Sequence, residues 1–271
     1  MLFRSLLNFF SDHPAQQFYI QHLGYTHSKP LPNVCELSFN VFYFLRTLTQ
    51  QNLKASSAKG FGSLNRGQRF HRTWLGYQLW YQNVLDHVIF SLGSTTEDTS
   101  YLLQRLQAQP RWQEFQQLLP IYPKGSDHGE IPDVTVDHIA YSAFCNIVSE
   151  SETEYFGYDI TYPAPVATEK TWKPFLSCQI PIFYAAQGHV SYVKQFGFEV
   201  FEDILPKTYD SMGTFEKVQA IVDVVAQGND WIKDVYYSNI NKIKHNHDLV
   251  ISHKVEQLMF DSVTDFVYNT A

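Results

Sequence analysis

Three short stretches concentrate the side chains that could do chemistry. The first, Leu64-Asn65-Arg66-Gly67-Gln68-Arg69-Phe70-His71-Arg72, places three arginines and a histidine within seven residues. It lies where an apolar run gives way to a helical pattern. The free N–H groups of a helix start attract anions, and a guanidinium can hold a phosphate through two parallel hydrogen bonds. Cations at that end oppose the helix dipole unless something acidic is bound. The same residues also suit a solvated basic patch paired with acids of neighbouring turns. The second stretch, Ser149-Glu150-Ser151-Glu152, follows the apolar run Phe144–Val148. Its carboxylates could take ribose or sugar hydroxyls, or pair with those arginines. The third is Thr168-Glu169-Lys170-Thr171-Trp172-Lys173-Pro174. Glu169 and Lys173 share one side if a helix begins at Thr168. Thr168 is a fitting N-cap, although Thr171 stands where a capping box wants an acid. Pro174 bars a smooth helix interior. Either the helix proper starts at Pro174 and leaves Glu169–Lys173 as a binding loop, or its first turn is irregular. A solvated Glu-Lys surface cluster is the plain alternative.

The elements that must position these residues follow from the alternation of apolar runs and helical patterns. Strands are predicted at Phe61–Asn65, His87–Leu92, Phe144–Val148, Ile180–Ala185 and Phe198–Phe201. Helices are predicted over 71–82, 96–107, 111–119, 134–143, 190–196 and 215–225, with Gly228 closing the last. The segment from Thr168 belongs with them, and a helical tail runs from 230 to 267 with a break near Ser252. The prolines and glycines of 120–133 mark a long loop. In the tail Trp231, Val235, Tyr236, Ile240, Ile243 and His247 recur at helical intervals. This is the grammar of a parallel α/β sheet of four to six strands, whose strand ends near Asn65, Leu92, Ser149 and Ala185 open on one cleft. Residues 1–54 read as a small helical annex and 55–271 as the Rossmann-like domain with its C-terminal helices.

Composition narrows the classes. Hydrophobic residues at 44% and aromatics at 16% exclude a disordered or low-complexity chain, and 271 residues can bury a sizeable core. A net charge of -7 argues against general nucleic-acid binding. Cys35, Cys145 and Cys178 cannot all pair, which points to a reducing, cytoplasmic setting. The N-terminal apolar run is too short for a signal peptide, and no stretch is long enough to span a membrane.

Taken together, the Leu64–Arg72 segment, Val148-Ser149-Glu150, and Thr168–Pro174 followed by Ile180-Pro181-Ile182 resemble the donor-binding half of fucosyltransferase-like GT-B glycosyltransferases. They are most similar to a set of glycosyltransferase-like proteins from viruses and bacteria with LNRxxRxHR and TEKxxKP segments. Later matches are Gly197-Phe198-Glu199-Val200-Phe201, Tyr209-Asp210 and His245-Asn246. The resemblance covers residues 58 to 250. It implies that Arg66, Arg69 and Arg72 lie near the donor's diphosphate, that Lys170 contacts phosphate or sugar, and that Glu169 approaches ribose or sugar hydroxyls. Asn65 and Lys173, in the same segments, complete the donor-binding set. Glu150 matches the family's acid after the strand. Cys178-Gln179 departs from the pattern, standing where relatives often carry a small residue and glycine.

The implied function is transfer of a sugar from a nucleotide-sugar donor to an acceptor, with cations in place of a metal and no cofactor. Asp159, Asp203 and Asp210 are isolated, so no DxD-like metal signature is present. His71, Glu150 and Glu152 are the candidate bases. The alternative is a non-catalytic nucleotide-sugar or phosphosugar binding protein, or a degenerate transferase subunit. A phosphatase or nuclease ranks below both, because paired metal carboxylates are missing. A GT-B enzyme needs a second lobe, which 54 residues cannot supply. The annex, the 120–133 loop, a second subunit or a homo-oligomer must therefore complete the acceptor surface.

Overall fold

A computed structural model of the chain describes residues 53–55, 58–96, 100–123, 139–150 and 167–252. The annex, apart from its last two residues, lies outside this range, as do Cys35, Glu152, Asp159, the interior of the 120–133 loop and the tail beyond Ser252.

Each apolar run forms a strand, and the four strands make one parallel sheet. They are β1 (Phe61–Gln68), β2 (Val88–Thr96), β3 (Cys145–Ser149) and β4 (Ile180–Tyr184). The helices are α1 (Phe70–Tyr81), α2 (Ser100–Gln107), α3 (Trp112–Gln116), α4 (Glu169–Leu176), α5 (His189–Gln195), α6 (Thr214–Ala226), α7 (Gly228–Ser238) and α8 (Ile240–Ile251). β3 and β4 are buried along their whole length, as expected for parallel strands covered on both faces. The described helices flank this sheet in a generic Rossmann-like α/β arrangement.

The strand order is β2-β1-β3-β4. The chain therefore leaves β1 toward one edge and β3 toward the other, and the switch point lies between β1 and β3. The crossover helices consequently cover opposite faces. α1 packs with α6 on one, and α4 packs with α8 on the other. Side-chain alternation separates two cores. Phe61, Leu92, Ile147, Ile182 and Tyr184 join the larger, and Val148 and Phe183 join Trp172, Phe175 and Phe198 in the smaller. The switch point is also where the sheet opens. β1 pairs β2 from Phe61↔Val88 to Gln68↔Thr96, but pairs β3 only at Phe61↔Cys145 and Gly62↔Asn146.

Several expectations need correction. The first strand continues past Asn65 to Gln68, so Arg66 belongs to β1, beside a register shift between Asn65 and Gly67. The third stretch is one helix from Glu169 through Pro174. Thr168 caps it, its Oγ1 accepting the Lys170 N–H at 3.3 Å. Pro174 forfeits one helical bond, while Ser177 N–H to Lys173 O (2.9 Å) and Gln179 N–H to Pro174 O (2.8 Å) close the turn. There Cys178 takes φ 49°, the left-handed conformation that a glycine adopts without strain. Of the helix expected over 134–143, the described part is a 3-10 turn, Ile139–Ser142. Phe198–Phe201 is not a strand. The Asn246 side-chain amide takes the place of a strand partner, accepting Glu199 N–H and donating to Glu199 O, each at 2.8 Å. The tail breaks at Asn239, between α7 and α8, and α8 then ends at Ile251, beside the break expected near Ser252. Its buried stripe is Ile232, Tyr236, Ile243, Asn246 and Val250.

Where β1 shifts register it presses on β2, and a Cβ added at Gly93 would sit 1.8 Å from the Arg66 carbonyl oxygen. Gly93→Ala is expected to destabilise the protein by about 1–3 kcal/mol, the range for overpacking a close backbone approach. Urea unfolding measures this, and a variant as stable as wild type would show that the approach is not tight. Among the described residues no helix is long and apolar enough to cross a membrane.

Candidate functional site

The carboxyl ends of β1 and β3 deliver the first turns of α1 and α4 to the two sides of the switch point. Arg69 is the N-cap of α1, with an extended backbone and no side-chain cap. Arg72 is buried, Arg66 is exposed, and no acid occupies that first turn. His71 is buried, and its Nε2 lies 2.9 Å from the Glu150 carbonyl oxygen. A carbonyl only accepts, so Nε2 carries the proton and the lone pair of the neutral ring is on Nδ1. Burial, then the positive charge of Arg72 and, more weakly, those of Arg69 and Lys170 push the His71 pKa well below 6.5 against the opposing Glu150 carbonyl. Glu150 links the first stretch to the third, hydrogen-bonding both His71 and Thr168.

Glu150 ties the two helices together. Its carbonyl receives His71 of α1, while its fully buried carboxylate receives the start of α4. Thr168 N–H donates to Oε1 at 3.1 Å, Thr168 Oγ1 to Oε2 at 2.7 Å, and the Thr171 hydroxyl to Oε1. Burial alone would raise this carboxyl. Lys170, His189 and the two threonine hydroxyls outweigh it and hold the pKa below its usual value. Thr171 gives its one proton to the carboxylate, so its oxygen accepts from His189 Nε2, 3.1 Å away. His189 is itself buried, which lowers its pKa to about 4 despite the nearby Glu150 charge. Lys170 Nζ stands 3.4 Å from Thr168 Oγ1, on the same network.

Of the residues singled out by sequence, Arg69, Arg72 and Lys170 thus act on His71, and Lys170 acts on Glu150 as well. Asn65 is buried in β1, with its Nδ2 donating to Ser63 Oγ at 3.2 Å and its main-chain N–H to Ser91 Oγ at 3.0 Å. Glu169 opens α4, and Lys173 is buried one turn beyond Lys170. Sequence reading missed Thr171 and His189. The Thr-x-x-Thr spacing of 168 and 171, which stacks two hydroxyls on one side of a first turn, is the signal that could have found Thr171.

The later motifs serve as scaffold. His245 Nε2 donates to Gly197 O at 2.9 Å beside the Asn246–Glu199 pair. Tyr209 OH donates to Phe183 O at 3.0 Å. Asp210 caps α5 by accepting Val190 and Ser191 N–H at 2.8 and 2.9 Å. Lys217 is buried because its ammonium donates to the Ala185 and Ala186 carbonyls at 2.9 and 3.1 Å, just past the end of β4. Among the described residues no three His, Cys, Asp or Glu side chains are grouped to hold a metal ion. Comparison of the chain with protein-family models, curated proteins and solved structures returned no match.

Proposed function

We propose that the chain is a glycosyltransferase that uses a nucleotide-sugar donor, with the donor's diphosphate held between the first turns of α1 and α4. What supports this reading is that the charges of Arg69, Arg72 and Lys170 all act on one buried histidine, His71, at the switch point of a parallel sheet. Two helix starts and three cations in one region suit a dianionic group. In the proposed reaction the acceptor oxygen bonds to the anomeric carbon while the bond from that carbon to the diphosphate breaks. The cations stabilise the charge left on the diphosphate, so the step needs no metal. His71, with its lone pair on Nδ1, is the base that takes the acceptor proton. A bound diphosphate offsets the surrounding positive charge and raises the basicity of His71 toward the useful range. Glu150 spends its carboxylate on Thr168 and Thr171, and so acts by orienting Lys170.

One observation favours a second reading, a nucleotide-sugar binding protein without turnover. The Glu150 carboxylate is saturated by hydrogen bonds, and His71 of the free protein is a weak base. Calorimetry with UDP, GDP, CDP and their sugar conjugates tests what the two readings share. One of these ligands is expected to bind, and Arg69→Ala or Lys170→Ala to lose about 1.5–3 kcal/mol, the scale of a charge-assisted hydrogen bond. Binding by none of them would overturn both. Donor hydrolysis or transfer, absent in His71→Gln, separates the enzyme from the binding protein.

A further inference from the structure

Buried polar atoms nearly always find a hydrogen-bond partner, because an unpaired one forfeits its hydration. Three that find none among the described residues are Asn65 Oδ1, Ser149 Oγ and Tyr184 OH. Their side chains are only 1%, 2% and 0% exposed. They fall in one row across the sheet. Ser149 and Tyr184 are register partners. Asn65 lies three residues past Gly62, as Ser149 lies three past Asn146, and Gly62 pairs with Asn146. Alternation puts all three on the face of Phe61, Ile147 and Ile182, the face that α1 covers. The His71 ring meets the Tyr184 ring edge-on at 5.6 Å. The β1–β3 ladder ends before it reaches this row, so the row crosses the gap at the switch point, beside the cationic first turn.

The chemistry of the row is neutral. Asn65 spends its Nδ2 on Ser63, which leaves Oδ1 as a pure acceptor. The two hydroxyls can donate and accept, and burial keeps the Tyr184 phenol protonated by raising its pKa well above 10. One acceptor beside two hydroxyls suits the vicinal hydroxyls of a polyol, whereas an anion there would face the lone pairs of Asn65 Oδ1. We infer that Asn65, Ser149 and Tyr184 form a neutral subsite that receives hydroxyl groups of the ligand whose phosphates occupy the Arg69, Arg72 and Lys170 cluster. The inference rests on the phosphate reading above. Those hydroxyls belong either to the ribose or to the transferred sugar, which share this chemistry.

The experiment is calorimetry with three probes: pyrophosphate, nucleoside diphosphates, and nucleoside diphosphate hexoses. It uses the full chain and the variants Ser149→Ala and Tyr184→Phe, each of which removes only a hydroxyl, with urea midpoints to show that both fold. Pyrophosphate affinity is expected to stay within about twofold, while each variant loses about 3- to 10-fold on a polyol-bearing probe, the range for one neutral hydrogen bond. A loss already present with the nucleoside diphosphate assigns the row to ribose, and a loss confined to the conjugates assigns it to the sugar. Equal loss on pyrophosphate, or no loss on any probe, would overturn the subsite and leave a row satisfied by internal water. Failure of the wild type to bind pyrophosphate is a separate result. It would remove the phosphate reading, and this inference with it.

Discussion

Replacing Glu150 by alanine is expected to destabilise the protein by about 3–5 kcal/mol, the range for removing one member of a buried, charge-balanced network. The carboxylate has no exposure and accepts from Thr168 N–H and from the hydroxyls of Thr168 and Thr171. Alanine leaves the Thr171 hydroxyl without its acceptor in a buried space and removes a negative charge that acts on Lys170. It also frees the start of α4 from the end of β3. Glu150→Gln keeps the volume and one acceptor, and about 2 kcal/mol is expected because an amide then faces donors. Thr171→Val, which deletes one hydrogen bond to a charged group, should cost about 1.5–3 kcal/mol. Urea titrations of the three variants decide this. A Glu150→Ala protein within 1 kcal/mol of wild type (about a fivefold change in the folding equilibrium) would show that the carboxylate does not tie the start of α4 to the end of β3.

Acid should weaken the fold well before carboxylates titrate. Burial lowers the His189 pKa to about 4 in the folded protein, while the unfolded chain has the ordinary 6.5. Between those values the unfolded state binds a proton that the folded state refuses. The stability contributed by the neutral ring is therefore complete above pH 6.5, falls as the pH drops toward 4, and then levels off. At about 1.4 kcal/mol per pH unit the loss across that window is about 3 kcal/mol. His71 is shifted in the same direction and adds to it. Glu150 has a lowered folded pKa, so its contribution is present above about 4.5, the ordinary carboxyl value, and is lost below it, where it continues the decline. Urea midpoints from pH 7.5 to 4.5 should drop steadily. His189→Gln, which keeps a donor for Thr171, should flatten the slope by close to one proton. A His189 ring that titrates near 6.5 by NMR would refute the assignment.

The sequence by itself determined the parallel α/β class, because strands buried on both faces must be continuous apolar runs. Cys145–Ser149 and Ile180–Tyr184 announce themselves in that way. It also located the cationic helix start at Arg69–Arg72 and the cap at Thr168, since both are features of a few neighbouring residues. Only the tertiary structure decided that Glu150 is desolvated. Glu150 is singled out by partners 18 and 21 residues away, and no local pattern reports them. The same limit explains Phe198–Phe201, whose composition asks for a strand. The partner that satisfies its backbone is an amide 47 residues further on, so an extended segment needs no ladder. Strand order belongs with these long-range outcomes. That β1 and β3 lie side by side and part after Gly62 is a property of how the sheet packs, and across this parting Asn65, Ser149 and Tyr184 share one row, with Tyr184 against His71. Periodicity records how each segment meets the core, whereas the groups that share one desolvated site are chosen by contacts between segments far apart in the chain.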